Sequence, residues 1–329
     1  METEKYKLLS ELQIGEKYKR PVLITAVNEN TAKNGKSFVK ITMKDGNSEQ
    51  SATMFDTSAA DIAAIGIEKD SIADAEISVG EYQGAKNYKI LSLVPTRDSS
   101  LTIDDFVTLP PVDLNVMYEQ ISDLIKSSGN DYNGKYEPLS SLTLEILEKY
   151  KSAYLSSSAA VSMHHNLRGG LIYHSYRMIK AADALCGVYS ILDRELLLCG
   201  TALHDIGKLW EYKTSAAGDA QFTASGVLFG HLYLGASLIK KFTDGHNYNM
   251  EKVQLLIHMI LSHHGSQEWG AVVCPSIPEA FALHYLDNID AKIYMCEDFY
   301  KEMSSGEITE RKPFGLDNRL YKSGLYDEI

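Results

Sequence analysis

The chain lacks the cysteine that a disulfide framework or a paired-thiol motif would need. Its 329 residues hold 4 cysteines, Cys186, Cys199, Cys274 and Cys296, which are isolated and form no C-x-x-C pair. Such spacing predicts reduced thiols in helices or core of a cytoplasmic protein. Also missing is an apolar run long enough to cross a bilayer, and the opening Met1-Glu2-Thr3-Glu4-Lys5 carries charge where a secretory leader would be apolar. Secretion and membrane contact are therefore not expected. Positive charge is in deficit, with 32 Lys and Arg against 44 Asp and Glu and a net charge of -12. That balance argues against broad electrostatic attraction to nucleic acid but leaves room for a local basic groove. What remains, 44% hydrophobic and 23% charged residues, is an ordinary globular composition without collagen-like, disordered or disulfide-rich bias. The length suits about two domains.

From Gln13 to Pro95 the pattern is that of strands. Val22 to Val27 is β-rich, and a turn centred on Asn34-Gly35 leads to Ser37–Met43, where Val39, Ile41 and Met43 alternate with Phe38, Lys40 and Thr42. An Asp45-Gly46 turn precedes Ser51–Phe55, a short helical patch covers Ala59 to Ile65, and Ile72–Tyr82 and Tyr88–Val94 flank a loop over Gln83–Asn87. Five short strands with a small helix between the third and fourth predict a five-stranded barrel of the oligonucleotide-binding (OB) type. Phe38, Lys40 and Phe55 would project from its outer face, an aromatic and basic set suited to stacking bases and tracking a backbone. Packing against a neighbouring domain is the competing role for the two rings.

Arg97-Asp98-Ser99-Ser100 and Pro110-Pro111 mark a linker. Beyond it, Val116, Ile121, Leu124 and Ile125 have helical spacing, and helices broken by short Gly- or Ser-containing turns continue to Phe299. The expected organisation is an OB-type domain over 1–98, a linker over 99–112, an all-α domain over 113–303 and a C-terminal tail over 304–329 that docks back on it. The tail's Phe314, Leu316, Leu320, Tyr321 and Tyr326 are too many apolar positions for a solvated end.

The chemistry centres on Thr201-Ala-Leu-His204-Asp205-Ile-Gly-Lys208-Leu-Trp210. An ionised carboxylate beside an imidazole in an apolar helical segment is costly to bury, and a metal ion satisfies both. A buried His-Asp pair without metal is the plainer alternative. Neighbours on a helix diverge by about 100°, so the two oxygens of Asp205 are free to reach two ions, while Lys208 would meet a substrate phosphate. Further imidazoles and carboxylates stand in apolar helical contexts at His174, His231, His263-His264, His284, Asp287 and Asp290. His284 would orient Asp287, and Asp290 shares that face. His258 reads as a packing neighbour of His263, His246 as solvated, and His164 and His165 precede the helix of His174 without ligand geometry. Arg168 is placed to fork onto a phosphate.

The ordered set H…HD…H…HH…D resembles the HD-domain metal-dependent phosphohydrolase superfamily. With a preceding barrel, and with strings such as His164-His-Asn-Leu-Arg-Gly-Gly-Leu-Ile-Tyr-His174, Ser262-His-His-Gly-Ser-Gln-Glu-Trp-Gly270 and Leu316-Asp-Asn-Arg-Leu-Tyr-Lys322, nearly the whole chain is similar to the YhaM-type 3'-5' exoribonucleases. The resemblance implies His174, His204, Asp205, His231, His263 and Asp287 as metal ligands, with either or both of His263 and His264 facing the ions. It implies two divalent ions, Mn preferred with Fe, Co, Ni or Mg open, and hydrolysis of single-stranded RNA or DNA by metal-activated water, with Asp205, Lys208 and Arg168 at the reacting phosphate. Arg319 would contact a substrate phosphate or pair with a surface carboxylate, and a homo-oligomer is compatible with the sequence. The alternative is an HD phosphohydrolase acting on a small or cyclic nucleotide, with the barrel for assembly or regulation. The Asp-Gly-x-Gly-Tyr-Pro string of the cyclic-dinucleotide branch is absent after the paired histidines.

Overall fold

The computed structural model describes residues 7–32, 35–46, 48–160 and 167–327. His164 and His165 lie outside them. Two compact units divide the chain: Met1–Leu109 with Ser215–Asp219, and Pro110–Thr214 with Ala220–Ile329.

In the first unit β1 (Lys17–Thr31), β2 (Ser37–Asp45), β3 (Ser48–Phe55), β4 (Ile72–Tyr82) and β5 (Ala85–Pro95) close a barrel in the order β1-β2-β3-β5-β4. α1 (Ala59–Ala64) sits between β3 and β4, so the architecture is the OB-type barrel that the strand pattern predicts. Alternation decides the inside: Val39, Ile41, Met43 and Ala52 join Val22, Ile24 and Ile77 in the core, and Ile62 of α1 packs against them. Ser58 caps α1, accepting from the Asp61 N–H while the Asp61 carboxylate accepts from the Ser58 N–H. The expected Gln83–Asn87 loop is tighter than its composition suggests. Tyr82 pairs with Ala85, and Gln83 and Gly84 take φ 52° and 79°, the two-residue turn whose twist matches a hairpin.

The second unit is helical: α2 (Leu114–Ser128), α3 (Leu139–Lys149), α4 (Lys151–Ser156), α5 (Gly170–Val188), α6 (Arg194–Leu203), α7 (Lys208–Glu211), α8 (Ala224–Phe242), α9 (Met250–Ser262) and α10 (Pro278–Glu302). Asp113 starts α2 directly after Pro110-Pro111, accepting from the Asn115 and Val116 N–H groups. α6 is the buried centre, every residue from Glu195 to Leu203 being buried. The Glu195 carboxylate survives there because the Lys252 ammonium stands 2.7 Å away and the Ser140 N–H donates to it. The domain is not purely α, since β6 (Tyr212–Thr214) and β7 (Ala220–Phe222) form a two-stranded hairpin between α7 and α8.

After α10 the tail folds back through an Ile308–Tyr321 bridge, and the Lys322 ammonium donates to the Tyr300 and Met303 carbonyls. Of its apolar positions, Leu316 is buried, whereas Phe314 is 81% exposed. No described helix is long and apolar enough to cross a membrane.

Candidate metal centre

Five elements of the helical unit bring their polar side chains to one place. His174 comes from the second turn of α5, His204 and Asp205 from the turn that ends α6, His231 from α8, His263 and His264 from the turn that ends α9, and Asp287 from the middle of α10. His204 and Asp205 thus lie just past their helix rather than inside it. Gly207 makes that turn compatible with α8, because a Cβ there would lie 2.0 Å from the His231 carbonyl oxygen. α8 itself breaks at Gly230, where φ is 67°, so that His231 opens its second half.

Asp205 is the hinge of the cluster. Its Oδ2 lies 3.2 Å from His204 Nε2 and 3.9 Å from His174 Nε2, while its Oδ1 lies 3.5 Å from His231 Nε2 and 3.7 Å from His263 Nε2. On the first side His174 Nε2 is also 3.2 Å from both His204 Nε2 and Asp287 Oδ1; on the second, His231 Nε2 is 3.2 Å from His264 Nε2. Three overlapping groups each keep their ligand atoms within 4.8 Å of one another: His174, His204 and Asp205; His204, His263 and Asp287; His231, His263 and His264.

The outward nitrogens explain why the inward ones converge. His204 Nδ1 donates to the Thr201 carbonyl and His263 Nδ1 to the Ile260 carbonyl, both at 2.8 Å. His174 Nδ1 donates to Asp290 Oδ2 at 2.7 Å, and His231 Nδ1 to Glu211 at 3.0 Å. A neutral ring whose Nδ1–H is engaged this way presents the lone pair of Nε2 to the interior, as metal-binding histidines do. Asp205 Oδ1, buried, has no hydrogen-bond partner among the described residues. An orphaned carboxylate oxygen amid inward imidazole lone pairs fits a divalent cation on each side of Asp205.

Charge is distributed accordingly. Burial pushes the Asp205 carboxyl up, but Lys208, whose ammonium is 2.7 Å from Oδ2, and then His204 hold it well below the usual carboxylate range. Asp287 is likewise lowered against the effect of burial, chiefly by its hydrogen bond with His174. His174 rises to about 9, because Asp287 and Asp290 outweigh the desolvation of its buried ring. Burial, reinforced by His204 and His264, keeps His263 neutral.

The structure therefore gathers His174, His204, Asp205, His231, His263, His264 and Asp287. Lys208 is there too, its ammonium 2.7 Å from Asp205 Oδ2. Arg168 is half-buried just before the Gly169 cap of α5. Asp290 anchors His174 and pairs with the Arg177 guanidinium at 2.6 Å, which places it behind the ligand atoms. His284 departs from expectation: its Nδ1 donates to the His263 carbonyl at 2.8 Å rather than turning to Asp287. Glu211 was missed in sequence, although a carboxylate after Leu209-Trp210 was a signal of the same kind as Asp205. Arg319 is exposed in the tail, and its guanidinium makes no hydrogen bond or ion pair among the described residues.

In the barrel unit the outer strip also forms. Phe38 pairs in register with Phe55, their ring centroids 6.1 Å apart, and Lys40 faces Thr53, which is next to Lys89. The Lys89 ammonium lies 5.9 Å from the Phe55 ring centre, and Phe55 is 56% exposed.

Known proteins are similar to this chain in sequence. The HD domain family matches residues 171–292. The chain is 31% identical over 94% of its length to a protein from Bacillus velezensis named 3'-5' exoribonuclease YhaM, covering 95% of that protein. Proteins of the same name from Bacillus licheniformis and Bacillus subtilis are 32% and 31% identical, over 95% and 94% of this chain and 97% and 95% of theirs. With a closed OB-type barrel, an HD domain and this identity along nearly its whole length, the chain belongs to the YhaM 3'-5' exoribonuclease family of HD-domain enzymes.

Proposed function

We propose that this protein is a metal-dependent exonuclease that removes nucleotides from the 3' end of single-stranded RNA. The observation that carries the reading is the Asp205 carboxylate, with one oxygen toward His174 and His204 and the other toward His231 and His263. His174, His204, His231, His263, His264, Asp205 and Asp287 would hold two divalent cations, Mn preferred. Bound there, such ions supply Lewis acidity that makes water nucleophilic near neutral pH and offsets phosphoryl charge.

The chain's own groups do the rest. Asp205 and Asp287 contribute negative charge that keeps two cations in one pocket, and Asp290 and Glu211 fix the ring planes of His174 and His231. Lys208 lies 15% exposed at the edge of the cluster, where its ammonium offsets charge gathering on the phosphoryl oxygens, with Arg168 as a second cation. Phe38, Phe55, Lys40 and Lys89 form a strip that would stack bases and follow the strand. The relatives' name supplies the polarity and the substrate.

The test is a ladder assay. A 5'-labelled single-stranded RNA incubated with Mn should shorten stepwise from its 3' end, stop on chelation and resume on repletion. A 5'-labelled DNA of the same sequence reports whether the 2'-hydroxyl matters. Asp205→Asn should fold, bind less metal and lose ~100-fold or more of the rate. Hydrolysis of mono- or cyclic nucleotides with intact RNA would replace this reading by that of a small-nucleotide phosphohydrolase.

A further inference from the structure

Beside the histidine cluster is a cavity of 380 Å³, lined by Ser266 and Trp269 of the segment after α9 and by Phe281, His284, Tyr285 and Asn288 of α10. Its volume is that of a small-molecule site, ~300–1,000 Å³. We propose that it receives the nucleobase of a nucleotide flanking the scissile phosphodiester, an assignment that rests on the exoribonuclease reading.

Three observations carry it. The cavity's walls are tied to the cluster by the chain: Ser266 is two residues past His264, Asn288 follows Asp287, and His284 Nδ1 donates to the His263 carbonyl at 2.8 Å. Its walls are aromatic and built for stacking. The Trp269 indole lies over the His284 ring with centroids 6.0 Å apart and planes 24° from parallel, yet remains 63% exposed, and Tyr285 is 62% exposed. Gly265 makes the layer possible, since its φ is 82° and a Cβ there would lie 2.3 Å from the His284 ring. Asn288 adds a polar group to the lining, a side-chain amide with a donor and an acceptor.

The lining contains no Lys or Arg, so a phosphate or carboxylate is a poor occupant. Exposed aromatic faces with a few fixed donors and acceptors match a flat heteroaromatic ring bearing hydrogen-bonding edges. Such stacking tolerates all four bases, as sequential degradation requires.

Single-stranded RNAs of one sequence are compared, intact, abasic at the 3'-terminal nucleotide, or abasic at the penultimate one. Wild-type protein should degrade one of the abasic substrates about ten-fold less efficiently in kcat/KM than intact RNA, and which one tells whether the base in the cavity is leaving or retained. In Trp269→Ala and Tyr285→Ala that discrimination should collapse toward unity through KM. In metal-free protein, adenosine 5'-monophosphate should quench tryptophan fluorescence saturably, and Trp269→Phe should abolish the signal. Wild-type protein that degrades all three RNAs alike, or a Trp269→Ala variant that keeps the discrimination, overturns the cavity assignment alone. Failure to shorten any RNA instead overturns the exonuclease reading.

Discussion

At the level of single residues, His174 as a ligand would link acidity to metal loading. Its folded value of about 9 lies above the ordinary 6.5. The stability it lends the metal-free protein is therefore fully present below pH 6.5 and is lost as pH rises through about 9. A cation bound at Nε2 must displace that proton. Metal affinity should accordingly rise with pH up to about 9 and then level. Calorimetric titrations with Mn in buffers of different ionisation enthalpy should show about one proton released near pH 7.5; zero release would mean that His174 is not a ligand. Asp290→Asn should lower metal affinity ~10–100-fold, because it removes the acceptor that fixes the ring. Lys208→Ala tests another neighbour of the same Asp205 oxygen, Oδ2. Bound cations replace the charge that the ammonium supplies to Oδ2, so metal content should hold while turnover falls ~10–1,000-fold. Loss of metal in that variant would assign Lys208 to the integrity of the site rather than to the reaction.

At the level of elements, the site depends on two helix ends meeting a third helix at backbone distance. Gly207→Ala would place a Cβ 2.0 Å from the His231 carbonyl, in contact with backbone rather than with a side chain that can rotate away. The HD turn and α8 must then separate, and we expect a loss of ~1–3 kcal/mol by thermal or denaturant unfolding, together with weaker metal binding. Unchanged metal stoichiometry and affinity would show that the close approach is dispensable. Much of this framework is legible in the sequence. Val39, Ile41 and Met43 alternate with Phe38, Lys40 and Thr42 because one barrel face is core, and the five segments that carry the clustered His and Asp stand out as imidazoles and carboxylates in apolar helical contexts. What is not legible has physical reasons. β6 and β7 span only Tyr212–Thr214 and Ala220–Phe222, too short for a period to show. His204 and Asp205 fall in a turn because α6 ends at Leu203, although the apolar residues run on through Ile206 and Leu209. The partner of His284 is a main-chain carbonyl, which has no residue signature, and Glu211 reaches His231 from 20 positions away.

At the level of the whole molecule, a net charge of -12 would repel RNA unless affinity came from stacking and from local cations. The strip of Phe38, Phe55, Lys40 and Lys89 has that character, and it belongs to the barrel unit, whereas the histidine cluster belongs to the helical one. Binding of a long strand and hydrolysis of a short one should therefore be separable. Phe38, half-buried, and Phe55, largely exposed, lie side by side on neighbouring strands outside the barrel core, so replacing both by Ala removes stacking surface without opening the core formed by Val39, Ile41 and Ala52. The double variant should bind a long single-stranded RNA more weakly by ~1–3 kcal/mol for each base stack lost, while hydrolysis of a dinucleotide stays near wild type. Binding is read by anisotropy in chelator, where no cleavage intervenes, and hydrolysis by product formation in Mn. Equal losses on both substrates, or a lowered melting temperature, would assign the two rings to packing. A loss confined to the long strand would give the barrel the work of holding RNA that the acidic surface otherwise rejects.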